Sequence, residues 1–232
     1  MFKVFVNLTI DPMPAAKEKT ASPPSSTHAQ RDERRRKLAG VRQELVLDAA
    51  RSAFFELGME KTSIREIARR AGYTPGALYS YFPSKEHIYG ALLGESLERL
   101  NAQVQQALAK AQGAADQLHA AATAFFEFYR ANSHDLDLGF YLFQGMAPRG
   151  LTPELDARLN TRLRDALLPC QAALQAMGLN EARATAEVTA LFAHIVGLLV
   201  MSHTGRIRMF GQSSQALFTA YLQQLARRAP TQ

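Results

Sequence analysis

The tightest constraint in this sequence is the punctuation of residues 58–85, where helix stops and helix starts alternate too closely for anything but short helices. Gly58 ends an amphipathic stretch in which Leu45, Ala49, Ala50, Ala53, Phe54 and Leu57 recur at three- and four-residue spacing. Ser63 with Glu66 reads as a capping box that opens a second helix through Arg70, which Gly72 ends. Thr74 is the N-cap of a third helix with Pro75 at its first position, and Tyr73 and Leu78 stand at staple spacing. That helix runs to about Phe82, because Pro83 disfavours helical backbone at the residue before it. Ser84 caps a longer helix that starts at Lys85–Glu86 and reaches about Lys110, with a break near Gly94. Two short helices joined by Ala71-Gly72-Tyr73-Thr74 make a helix-turn-helix. Ile67, Ala68, Ala71 and Leu78 supply the small and apolar contacts of a close crossing, and Gly72 the reversal.

Composition extends the helical reading to the whole chain. The 232 residues include 38 Ala and 29 Leu against 8 Val and 6 Ile, a balance that favours helix over strand. After Gly113 the stops are regular. Ala114–Arg130 ends at Asn132-Ser133, and Asp135–Met146 ends at Pro148-Arg149-Gly150. Thr152 caps a helix with Pro153 at its first position, running to Gly178 with a kink at Pro169. Asn180 caps an apolar helix through about Met201, and Ser214 opens a final one, Gln215–Arg228. Upstream, residues 11–30 are rich in Pro, Ser, Ala and Thr without hydrophobic periodicity, and the strand-like Met1–Ile10 has no partner. The expected architecture is all-α: a disordered, basic-ending tail (1–37), a three-helix helix-turn-helix domain (38–90), and a larger helical domain (91–229).

Charge is placed unevenly. Residues 1–90 hold 15 Lys/Arg against 10 Asp/Glu, and residues 91–232 hold 12 against 11, so nearly all of the +6 excess is N-terminal. That asymmetry points to a polyanion, either nucleic acid or an anionic membrane surface. No segment reads as long enough to span a bilayer: the longest apolar run, Val188–Met201, has 14 residues and contains His194. Met1–Ile10 is apolar but short, has one basic residue and runs into Asp11 without a small-residue cleavage site, so it does not read as a signal peptide. The single cysteine, Cys170, excludes an intramolecular disulfide and a Cys-based zinc site, and fits a cytoplasmic protein. Residues 91–232 hold no phosphate loop, zinc motif, serine elbow or cluster of carboxylates at useful spacing, and their histidines, His119, His134, His194 and His203, are scattered. Neither enzyme activity, a metal nor a cofactor is expected.

The string Gly58…Thr62-Ser63-Ile64-Arg65-Glu66-Ile67-Ala68…Ala71-Gly72-Tyr73-Thr74-Pro75-Gly76-Ala77-Leu78-Tyr79-Ser80-Tyr81-Phe82-Pro83-Ser84-Lys85 resembles the DNA-binding domain of TetR-family transcriptional regulators, over residues 41–90. Tyr73 departs from it, standing where a smaller aliphatic residue is usual. A recognition helix enters the major groove N-terminus first, which places Thr74, Pro75, Gly76 and Ala77 nearest the bases. Their short side chains allow contact with thymine methyls, and Arg65 is the candidate for reading guanine. Tyr79 and Tyr81 carry hydroxyls for phosphate. Lys85 adds a cation at a helix start, and Thr62 and Ser63 are placed to act likewise at the second helix. Leu78 and Phe82 read as core, and Ser63 first of all as a cap. The run Arg31–Lys37 reads equally as a solvated tail or as an arm on DNA.

The resemblance implies a ligand cavity in the C-terminal part. Phe125, Phe126, Phe128, Tyr129, Phe140, Tyr141 and Phe143 crowd one helix junction; most must be core, with Tyr129, Tyr141, Gln144 and Arg149 as polar anchors. The expected effector is small and largely hydrophobic. Ala182–Met201 is apolar nearly all round, and Pro153–Met177 carries Leu155, Leu159, Leu163 and Leu167 at four-residue spacing. A helix apolar on every side must be buried on every side, so these two helices are the expected homodimer surface, with Leu159, Leu163, Leu167, His194, Gly197 and Met201 in it. His194 also reads as a core histidine. The leading reading is a repressor that binds a palindromic double-stranded DNA operator as a dimer, away from any membrane. An enzyme or carrier with an accessory helix-turn-helix, and a nonspecific DNA binder, are the alternatives.

Overall fold

The computed structural model describes residues 26–140 and 151–229, and every element in them is helical. The order is α1 (Ser26–Lys61), α2 (Ile64–Ala71), α3 (Pro75–Tyr79), α4 (Lys85–Leu108), α5 (Gly113–Ala131), α6 (Ser133–Phe140), α7 (Pro153–Ala176), α8 (Glu181–His203), a 3₁₀ turn (Arg206–Phe210) and α9 (Ser214–Arg228). Two compact units divide between Arg42 and Gln43. In the first, residues 26–42 are helical, which corrects the expectation of a disordered tail through residue 37. Arg31, Arg34, Arg35, Arg36 and Lys37 are exposed there, and Lys37 pairs with Glu33 one turn away at 2.8 Å.

The second unit begins with the small head. Val46, Leu47, Ala50, Ala53 and Phe54 of α1 are buried together with Ile67, Ala68, Leu78, Phe82 and Ile88. Leu45, counted on the apolar face from sequence, is about half exposed; the buried stripe runs through its neighbours instead. Helix α1 breaks at Gly58 (φ 77°, ψ 159°), and α2 ends at Gly72 in the left-handed conformation that only glycine adopts cheaply. Helix α3 is shorter than expected. Ser80 closes it through Oγ to the Ala77 carbonyl at 2.6 Å, and Tyr81 and Phe82 continue only as a turn on the Leu78 carbonyl.

Helices α4, α5, α7, α8 and α9 pack into the larger body. Helix α4 runs unbroken through Gly94, against expectation. A Cβ on Gly94 would lie 2.9 Å from Arg162 Nη1, and one on Gly90 2.6 Å from Leu155 Cδ2, so these glycines admit α7 rather than end α4. Helix α7 likewise continues through Pro169. Thr152, Asn180 and Ser213 are N-caps; the last replaces the expected Ser214 by one position. The expected continuation of α6 to Met146 falls in residues 141–150, outside the described residues.

The expectation that no segment could span a bilayer is corrected by α8. It has 23 residues, and its most apolar window has a mean hydropathy of 1.8, long and apolar enough by those measures. Flanking Ala and Thr residues extend the 14-residue run. In the fold α8 packs on α7 and α9, and Glu187 lies 3.6 Å from Arg228 of α9.

Candidate functional site

The head's corner is held by buried polar contacts. Thr62 is 1% exposed; its hydroxyl donates to the carbonyls of Gly58 (2.7 Å) and Ala53 (3.1 Å), tying off the end of α1. It stands inside the fold, so its expected phosphate contact is corrected. Lys85 is also turned inward. Its ammonium donates to the carbonyls of Met59 (2.9 Å) and Thr62 (3.3 Å), where a cation meets the negative end of a helix. Its placement is that of a clamp between α4 and the α1–α2 corner, not of an open phosphate ligand.

Glu66 completes half of a capping box. Its backbone N–H donates to Ser63 Oγ at 3.2 Å, while its carboxylate accepts from Arg69 (2.7 and 3.0 Å) and Arg70 (2.7 Å) instead of reaching back to the cap. These bonds, Arg69 first, hold Glu66 down to about 2. Arg70 also bridges to α1 through Glu56 (2.8 Å) and Ser52 (3.1 Å); the i,i+4 spacing of Glu66 and Arg70 announces their own pair, but no local signal announces this link between helices. Helix α2 is thereby fixed on α1, which sets where α3 projects.

The outward surface is what remains. Ser63, Arg65, Thr74, Gly76 and Tyr79 are exposed, Tyr79 by 57%. Arg65 has no ion pair among the described residues. Thr74 caps α3 through the Ala77 N–H at 3.3 Å, and Pro75 and Ala77 are half-buried beside it. Tyr81 is half-buried against the core. The structure thus brings Arg65 and the N-terminal turn of α3 to the surface and withdraws Thr62 and Lys85.

In the body, Tyr129, Phe125, Phe192 and Phe140 form a closed circuit of rings. Neighbouring centroids are 5.3, 5.9, 6.0 and 5.2 Å apart in that order. Phe128 meets Tyr129 edge-on at 5.1 Å, whereas Phe126 stacks on Phe218 of α9 at 4.3 Å and belongs to the core. Phe192 comes from α8 and was not foreseen, because it lies 63 residues from Tyr129 and in a helix read as dimer surface. It also lines a groove of about 230 Å³ between α7 and α8, with Leu163, Leu167, Leu168 and Val188. Tyr129 is 1% exposed, and its hydroxyl has no hydrogen-bond partner among the described residues. Burial pushes this phenol up, with Asp135 adding to the effect. Tyr141, Phe143, Gln144 and Arg149 lie outside the described residues.

The expected dimer residues separate. Leu159 and Leu167 are 5% and 8% exposed, packed into their own chain's core, which corrects their assignment to an outer surface. Leu163 and Met201 are half-buried. His194 stacks on Tyr221 of α9 with centroids 4.1 Å apart, and burial lowers it against a bond to the Leu217 backbone; it belongs between α8 and α9 of one chain. Gly197 is exposed, and so are Ala182, Ala186, Thr189, Ala190 and Ala193 on α8.

A helix-turn-helix head on an all-helical body that buries an aromatic cluster is the build of a DNA-binding transcriptional regulator. Residues 46–92 match the family described as bacterial regulatory proteins, tetR family, and residues 118–225 match a tetracyclin repressor-like C-terminal domain. The chain belongs to the TetR family of transcriptional regulators, and it is a regulator rather than an enzyme. It is 36% identical over 110 residues to the transcriptional activator FasR of Mycolicibacterium smegmatis, covering 47% of each chain. It is 38% identical over 66 residues to the repressor KstR of the same organism, 28% of this chain and 32% of that one. The chain thus spans about half or less of the length of these curated relatives. In fold it is similar to FadR from Bacillus subtilis, crystallised with stearoyl-CoA, at 20% identity and a TM-score of 0.61, covering 79% of this chain and 97% of that one.

Proposed function

We propose that this chain is a ligand-responsive repressor that binds a palindromic operator as a homodimer in the cytoplasm and is released by a small, largely hydrophobic molecule. The observation that carries the reading is the pairing of an exposed α3 N-terminus with an interior in which the Tyr129 hydroxyl, set in an aromatic cluster, is one of two buried hydroxyls without a partner among the described residues, the other being that of Ser96 on α4. Thr74, Pro75, Gly76 and Ala77 face the bases, Arg65 reads guanine, and Tyr79, Ser63 and Tyr81 hold phosphates. Lys85 contributes by fixing the corner. The exposed small-residue face of α8 meets its copy across a twofold axis, which covers an apolar helix that a membrane would otherwise suit. Curated relatives include both a named activator and a named repressor; repression is favoured because the head, held rigidly on α1, acts by occupying DNA.

Selection of bound sequences from random DNA tests this directly. The expected result is an inverted repeat with half-sites about one helical turn apart. A set of bound sequences with no common motif would leave a nonspecific DNA binder instead.

A further inference from the structure

The Tyr129 hydroxyl poses a specific chemical question. Buried polar groups are almost always paired, and one left unpaired costs free energy in the absence of a partner. The Tyr129 ring packs against Phe125, Phe128 and Phe140, and its hydroxyl lies beside Gly139, where even an added Cβ would be 3.5 Å from the oxygen. Glycine thus leaves the hydroxyl facing bare backbone. The one charge acting on the phenol among the described residues is Asp135, which is negative. Arg99 pairs with that carboxylate at 2.6 Å, so its guanidinium is already committed.

Resting on the effector reading above, we propose that the ligand is a neutral, largely hydrocarbon molecule with one hydrogen-bond acceptor, a ketone, ester or thioester carbonyl oxygen, which accepts the proton of the Tyr129 hydroxyl. The phenol stays protonated at neutral pH, so it donates. An anionic headgroup is disfavoured at this point, because it would be desolvated near Asp135 with no uncommitted cation among the described residues to meet it. A purely hydrocarbon ligand leaves the hydroxyl as it is, unpaired. The acceptor therefore discriminates between ligands of equal size. Phe192 touches Phe125 and Phe140 of the aromatic circuit and also lines the α7–α8 groove, so an apolar surface runs from the one to the other for the hydrocarbon part.

Three fluorescent naphthalenes test the inference on the full chain: 6-propionyl-2-dimethylaminonaphthalene (a ketone), 2-dimethylaminonaphthalene (no acceptor) and 6-dimethylamino-2-naphthoate (an anion). The ketone should bind tightest and show the red-shifted emission of a hydrogen-bonded carbonyl. Tyr129→Phe removes the donor and keeps the ring, so the variant should fold with an equal or higher thermal midpoint. It should bind the ketone roughly fivefold to tenfold more weakly, with blue-shifted emission, and bind the acceptor-free probe as before. Equal binding of the ketone by both proteins would overturn the inference and leave the effector reading standing, as would tightest binding of the naphthoate. Binding of none of the three would overturn the effector site itself, and the inference with it.

Discussion

Gly76 sits on an exposed turn of α3 where an added Cβ would meet nothing within 4 Å, and its backbone is not in the left-handed region. Nothing inside the chain demands a glycine there. An exposed helical glycine costs about 0.5–1 kcal/mol relative to alanine, and the proposed close approach of DNA to this turn supplies a reason to keep it. Gly76→Ala should therefore raise unfolding stability by about 0.5–1 kcal/mol in denaturant titration while weakening operator binding in a gel-shift or anisotropy assay. Unchanged affinity would show that the groove does not come that close. Ser84 holds the expected cap position, but its hydroxyl bonds His87 instead of the helix backbone. The Ser63 and Thr74 caps and the turn glycine of this head were legible in the sequence, because each acts within four residues of its partner. Thr62 and Lys85 were not. Their hydroxyl and ammonium are claimed by carbonyls of Ala53, Gly58 and Met59, and only the folded corner brings those carbonyls into range.

At the scale of an element, α8 shows what periodicity cannot tell. Its start at Asn180 and its length were readable from a cap and a stop. Its facing was not, because a helix apolar on nearly every side gives no phase by which to assign a face. The structure supplies the phase: Val188, Leu191, Ile195, Leu198 and Leu199 face inward, while Ala182, Ala186, Ala190, Ala193 and Gly197 are left outside. On α7 the four-residue spacing of the leucines does give a phase, but not which partner the stripe faces, and Leu159 and Leu167 fill the core of their own chain rather than an outer surface. Gly197 offers a clean test of the outer face. A side chain at that position would touch nothing in its own chain, so Gly197→Glu should fold with an unchanged melting temperature of the monomer. In a dimer sealed by this face it would bury two like charges, at a cost of several kcal/mol. Sedimentation should then show a monomer, and operator binding should fall with it. A stable dimer of the variant would move the interface elsewhere.

Across the whole molecule, α6 is an element that touches both the head and the aromatic circuit. Toward the head, its His134 packs on Phe55 of α1 with centroids 4.0 Å apart, and the Leu138 carbonyl accepts from the Tyr89 hydroxyl of α4. Asp135 holds Arg99 of α4, and Asp137 lies 3.3 Å from His203 at the end of α8. Toward the interior, Gly139 lies against Tyr129, and Phe140 is one wall of the aromatic circuit. A change beside Tyr129 therefore reaches α1 and α4 through one eight-residue helix. Two recognition helices must sit about 34–36 Å apart to meet successive major grooves, so a ligand that prefers α6 in another position weakens DNA, and DNA weakens the ligand by the same factor. Gly139→Phe should act as a built-in effector, since a ring there cannot share space with Tyr129 unless α6 shifts. Operator affinity should drop by roughly tenfold, about 1.4 kcal/mol, with the dimer intact by sedimentation. The matching control is Phe55→Ala, which cuts the α6–α1 contact: added to Gly139→Phe, it should restore part of the lost affinity. If Gly139→Phe binds operator as tightly as the parent, α6 does not carry the signal, and the direct path from the aromatic circuit into α4 must.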